Sequence, residues 1–253
     1  MSRGISSKIA IVKSFELLSE LWLRPQGVNN LYALCQEFRH LIPNSSKDYT
    51  SHEDPSLDSL CVELAKLLEC AQKLKHSSTD QELSSFYTRF FESAFKEQAA
   101  PPVQSIYSIW TQDPDCKLSI ARQKGHFNAD CCLHMQALLQ HYQIEIPTHL
   151  MADHLSVICA LYALLLQHAH KAAILDFYHD HLTWLESFFE RYNSCIIEAQ
   201  DRADQSHNKA YNKLCARFYR QLYLSTASAL ERSLALQDNP ALQDSPALNH
   251  KDE

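Results

Sequence analysis

The chain has 253 residues, 45% of them hydrophobic and 21% charged, enough to bury a substantial core in one large domain or two modest ones. Its formal charge of -7, with 23 basic residues in no dense block, disfavours a nucleic-acid partner, which would require clustered Lys and Arg. Only 3 glycines are present, so phosphate-cradling and Rossmann loops lack the residue they depend on. The 9 cysteines are odd in number and scattered, with no C-x-x-C and no leading apolar signal segment, which points to reduced thiols in a cytoplasmic protein. The longest apolar run, residues 155–166, falls short of the roughly 20 residues a transmembrane helix needs.

In chain order, Ile11, Phe15, Leu18 and Trp22 recur at three- and four-residue steps, predicting an amphipathic helix over 6–24 that Pro25 stops. Leu31, Leu34, Cys35, Phe38 and Leu41 repeat the pattern up to Pro43. Asp54 and Pro55 have the form of an N-cap and a first-turn proline, opening a third helix that carries Leu57, Leu60, Leu64, Leu67, Leu68 and Leu74. Thr79 with Glu82 is a capping box, ahead of an aromatic helix with Phe86, Tyr87, Phe90, Phe91 and Phe95.

Periodicity then stops at AAPPVQSIYSIWTQDPD, residues 99–115, a long apolar loop that must pack on the helices or line a groove. One or two helices are expected within 114–143. Asp153 reads as the N-cap, and His154 as the first residue, of a core helix over about 154–169 that is apolar on all sides. A single helix is expected over 172–195 and a last long one from about Tyr211 to 236. No stretch alternates as a strand would. The fold class is therefore all-α, a bundle of about nine or ten helices, followed by a proline-spaced near-repeat, 238–253, expected to be a disordered tail.

The histidine groups, His168 with His170 and His179-Asp180-His181, tempt a metal reading. Residues two apart on a helix point roughly 200° apart, so neither pair chelates one ion, and no metal site is expected. No G-x-S-x-G occurs and no cysteine sits in a motif with a partner histidine, so no catalytic residue is named. The enzymatic alternative is a helical metal- or nucleotide-dependent hydrolase built on the histidines.

Three blocks carry a resemblance to a known family. FYTRFFES at 86–93, followed by PPVQSIYSIW at 101–110, is similar to a Y-x-x-L-F pattern and a proline, Ser and aromatic segment. MADHLSVICALYALLL at 151–166 resembles E-P-x-D-H followed by a helix, with Leu150 and Met151 standing where Glu and Pro are usual. FYHDHLTWLESFFERYNSC at 177–195 and ARFYRQLYL at 216–224 resemble an H-L-x-x-W-x-x-x-F helix and a terminal F-Y helix. The family is that of the TorD/DmsD/NarJ-type cytoplasmic chaperones of molybdenum-containing redox enzymes, and the likeness covers residues 80–230.

The resemblance implies an N-terminal helical part, 1–143, a hinge, 144–152, and a C-terminal helical part, 153–237. It also implies binding of the twin-arginine signal peptide of a molybdoenzyme precursor, so that the molybdenum cofactor is inserted before export. Weak guanine-nucleotide binding and a monomer or domain-swapped dimer belong to the same expectation, and no other cofactor is implied. A twin-arginine peptide offers guanidiniums and an apolar segment, so its receptor needs acceptors beside an apolar groove. Glu92, Asp113 and Asp153, with Asp180 as a further candidate, are the expected acceptors. Tyr87, Phe91, Tyr107 and Trp110 are the expected apolar and cation–π surface, and His154 stands beside Asp153.

Overall fold

The computed structural model describes residues 7–41, 55–92, 99–202 and 209–238. Among them are nine α-helices: α1 Ser7–Leu21, α2 Val28–Glu37, α3 Pro55–Ser77, α4 Asp80–Tyr87, α5 Asp130–His141, α6 Leu155–His168, α7 Lys171–His181, α8 Leu185–Arg202 and α9 Lys209–Asp238. A single-pair bridge, Val103 with His154, is the extent of β-pairing among the described residues. The fold is all-α, as the periodicities indicate. The Asp54 cap and the tail beyond 238 lie outside the described residues.

The stripe Ile11, Phe15, Leu18 and Trp22 is buried, and α1 lies on α6 and α9, while α3 lies along α9. Helix α1 ends at Leu21, three residues short of the expected 24, and Arg24, ahead of Pro25, lies outside helical geometry as a residue before proline should. Helix α2 starts at Gly27, whose φ of 154° suits glycine, and its first N–H is capped from another helix: Val28 N–H donates to Asp80 Oδ1 at 2.8 Å. The capping box of α4 is present, with Glu82 N–H on Thr79 Oγ1 at 3.2 Å and Thr79 N–H on the Glu82 carboxylate at 2.9 Å. Its last turn, Thr88–Glu92, loosens to π geometry. An aromatic cluster joins α1, α4, α8 and α9: Trp22 meets Phe188 at 5.5 Å, Phe91 meets Tyr219 at 4.8 Å, and Phe91 stacks on Tyr192 at 5.6 Å.

Of the one or two helices expected within 114–143, the described residues hold one, α5; residues 114–129 are turns folded back on the preceding loop, with Thr111 N–H on Ala121 C=O and Trp110 N–H on Gln123 C=O, both at 3.0 Å. Arg122 holds that fold by donating to the Asp113 carbonyl at 2.9 Å and to that of Thr111. The helix expected over 172–195 is two, α7 and α8, separated by the turn Leu182–Trp184. There the Trp184 indole N–H turns back onto the His181 carbonyl at 2.7 Å, taking up a group the end of α7 leaves without a helical partner.

Candidate functional site

The apolar loop after α4 is seated by backbone bonds to the segment ahead of α6. Leu155 N–H donates to the Pro102 carbonyl at 2.8 Å, and Gln104 N–H to the Asp153 carbonyl at 3.0 Å. Asp153 is fully buried, and its Oδ2 accepts from Ser105 N–H at 2.8 Å and from Ser105 Oγ–H. Its Oδ1 is buried without a hydrogen-bond partner. Asp153 is therefore not the N-cap of α6. The cap is His154, one residue on, whose Nδ1 accepts from Ser156 N–H at 3.2 Å and lies 2.8 Å from Ser156 Oγ. Accepting at Nδ1 leaves the ring proton on Nε2, and burial lowers the imidazole pKa to about 4, so His154 is neutral at pH 7.

Gln104 ties the same loop to α7. Its side-chain amide donates to the Asp180 carbonyl at 2.6 Å, and its Oε1 accepts from His181 Nδ1 at 2.8 Å. His181 Nε2 in turn faces His134 Nδ1 at 3.0 Å. A carbonyl oxygen only accepts, so His181 carries its proton on Nδ1 and its Nε2 accepts a hydrogen bond from His134 Nδ1–H. Burial first, then the neighbouring His134, lowers the His181 pKa to about 3. The H-x-H at 179 and 181 divides as helical geometry requires, with His179 exposed and His181 buried. The three sequence blocks, separate in the chain, thus converge on residues 102–105.

Above this knot lies a cleft of about 480 Å³. Its walls are Tyr87 and Phe91 from α4, Pro101, Pro102, Val103 and Ile106 from the loop, Phe127, and Leu150 and Met151 ahead of α6. Polar side chains are few: Arg24, Glu92, His149, His154 and Arg191. Arg191 is held by its Nε–H on the Ala99 carbonyl at 2.8 Å. Arg24 reaches Glu92 at 3.3 Å and Ser84 Oγ at 3.0 Å.

Of the residues singled out from sequence, Tyr87, Phe91, Glu92 and His154 meet at this cleft. The others are placed elsewhere. Tyr107 is buried and stacks on Trp184 at 5.2 Å. Trp110 donates its indole N–H to the Phe127 carbonyl at 3.3 Å, and Asp113 turns its carboxylate onto Asp115 N–H at 2.9 Å. Asp153 is beneath the wall, engaged with Ser105. Asp180, the further acceptor candidate, has an exposed side chain and offers its carbonyl to Gln104. Arg24, Phe127 and Arg191 were not singled out; Arg24 carried one signal, a charge isolated between an apolar helix end and a proline. Leu150 and Met151 were visible as departures from the family pattern, and both face the cleft.

The described residues fold as helices around a cleft walled largely by apolar side chains. The model of the family "Nitrate reductase delta subunit" matches residues 52–194, more than half of the chain, and the chain belongs to that family. It is a family of non-catalytic chaperones for molybdoenzyme maturation, and the chain is a chaperone of that kind. No curated protein and no solved structure matches the chain. No described helix is long and apolar enough to cross a membrane.

Proposed function

We propose that the chain works in the cytoplasm, holding the signal peptide of a molybdenum-cofactor oxidoreductase precursor in the 480 Å³ cleft while the cofactor is inserted and export is delayed. The observation that carries this reading is the cleft's make-up: apolar walls with one carboxylate, Glu92, at a solvent-reachable position. The walls suit the apolar part of a twin-arginine signal peptide, and Glu92 suits a guanidinium. His149, Leu150 and Met151 line the cleft, so a peptide held there would lie against the segment proposed as a hinge, 144–152, and occupancy would bear on how the parts before and after it sit. The hydrolase alternative is not favoured by the family. Among the described residues no three His, Cys, Asp or Glu side chains gather as a metal site would need.

Titration calorimetry of the full chain with a twin-arginine signal peptide tests the proposal. Saturable heat is expected, weakened when the peptide's apolar residues become Asp and, to a smaller degree, when Arg-Arg becomes Lys-Lys. Heat that survives loss of the apolar residues would refute the role given to the cleft.

A further inference from the structure

Helix α4 and its π turn carry Ser84, Thr88 and Glu92 at steps of four, which puts three polar side chains in one row. Arg24, arriving from the end of α1, lies along that row. One guanidinium nitrogen is 3.0 Å from Ser84 Oγ and another 3.3 Å from Glu92 Oε2, the oxygen that also accepts from Thr88 Oγ1 at 2.9 Å. The row therefore already binds a guanidinium, and it does so at the edge of the apolar cleft, since Arg24 and Glu92 both contribute to its lining.

The occupant is loosely held. The Arg24 and Glu92 side chains are 56% and 38% exposed, and their contact is a single one. Exposed pairs of this kind contribute about 0–1 kcal/mol, against the stronger two-point pairing a better-placed guanidinium could make. Arg24 also sits in a connecting segment, so its side chain can swing into solvent without disturbing a helix. Glu92 is the one carboxylate among the described residues lining the cleft.

We infer that Arg24 is the resident occupant of a single guanidinium seat formed by Ser84, Thr88 and Glu92, and that one arginine of a bound signal peptide replaces it there. The inference rests on the signal-peptide reading above. It adds that the chain reads one of the paired arginines in the cleft and leaves the other to solvent.

The test uses calorimetry on the full chain with two synthetic peptides. One has two adjacent arginines followed by apolar residues; the other has both arginines replaced by glutamine. Arg24→Gln is expected to bind the arginine peptide up to about five-fold more tightly, the worth of an exposed ion pair, with the glutamine peptide unchanged. Glu92→Gln is expected to bring the arginine peptide down to the affinity of the glutamine peptide. Replacing the arginines by lysine one at a time is expected to weaken binding at one position and not at the other. An unchanged or weakened affinity in Arg24→Gln, or equal shifts for both peptides, overturns the seat. If wild type binds both peptides equally, the seat falls while the apolar-cleft reading stands. If neither peptide binds the folded protein, both fall.

Discussion

Replacing Asp153 by alanine should damage the fold rather than the binding surface. The carboxylate is fully buried and receives two donors from Ser105, one at 2.8 Å from the backbone and one from the hydroxyl. Alanine removes the carboxylate acceptor from both in a buried site. Each bond to a charged acceptor contributes about 1.5–3 kcal/mol, and removing a buried carboxylate whose Oδ1 has no partner returns part of that as relieved desolvation. A net loss of about 2–4 kcal/mol follows, which for a chain of this size lowers Tm by roughly 5–15 °C. Asp153→Asn keeps an acceptor for Ser105 and should lose about half as much, since only the charge assistance goes. Thermal and urea unfolding measure the loss, and calorimetry on the folded fraction should give unchanged peptide affinity. An Asp153→Ala protein that melts with wild type but binds peptide poorly would refute this assignment and make the carboxylate a ligand contact.

The two buried histidines should make the fold acid-sensitive. Folding depresses the pKa of His154 to about 4 and of His181 to about 3, below the ordinary 6.5, so the unfolded chain takes up protons first. Their stabilisation is complete above pH 6.5 and is lost as pH falls toward those folded values, at about 1.4 kcal/mol per pH unit for each group. Urea unfolding between pH 7 and 5 should show this slope, with His154→Gln and His181→Gln each removing its own share; a slope unchanged in both variants would exclude them as its source. At Gly27, an added Cβ would fall 2.8 Å from Asp80 Oδ1 in a backbone region side chains avoid. Gly27→Ala should cost about 1–3 kcal/mol, Asp80→Ala about 1 kcal/mol through the lost cap, and the double variant less than the sum, as measured by urea unfolding. Leu150→Glu should add a second acid to the cleft and tighten binding of the arginine peptide relative to its glutamine counterpart in calorimetry.

Local rules account for much of what the sequence discloses. The end of α1 ahead of Pro25, the capping box at Thr79 and the buried stripe of α1 depend on residues a few positions apart, and all are as periodicity and capping chemistry require. The break between α7 and α8 was hidden because Leu182, Leu185, Phe188 and Phe189 keep helical spacing across it. What interrupts the helix includes bonds that reach far along the chain, such as Gln104 onto the Asp180 carbonyl, 76 residues away. The cap of α6 was misplaced by one residue for a similar reason. Asp is the commoner cap, but Ser105, 48 residues upstream, already takes its carboxylate, and the cap passes to His154. The cleft was half legible: its aromatics and Glu92 lie in the family blocks, whereas Arg24 and Arg191 reach it only through the packing of α1 and α8 against α4 and the loop.

The adjacent acid and imidazole therefore divide two tasks that a single residue could not perform. Asp153 is committed inward, tying the segment ahead of α6 to Ser105, so its charge is spent on the fold and is out of reach of a ligand. His154 is committed at Nδ1 to the helix cap but is part of the cleft wall, where its ring is neutral and its Nε2–H is a donor. A donor at that place cannot recognise a guanidinium; it can recognise a peptide carbonyl. On the signal-peptide proposal the cleft's polar contacts would be separated by position, an acceptor at Glu92 for a side chain and donors at His154 and Arg191 for a peptide backbone. His154→Phe should accordingly weaken the arginine and glutamine peptides by the same factor, because backbone carbonyls are common to both, whereas Glu92→Gln separates them. A His154→Phe variant that loses affinity for the arginine peptide alone would show that this division is wrong.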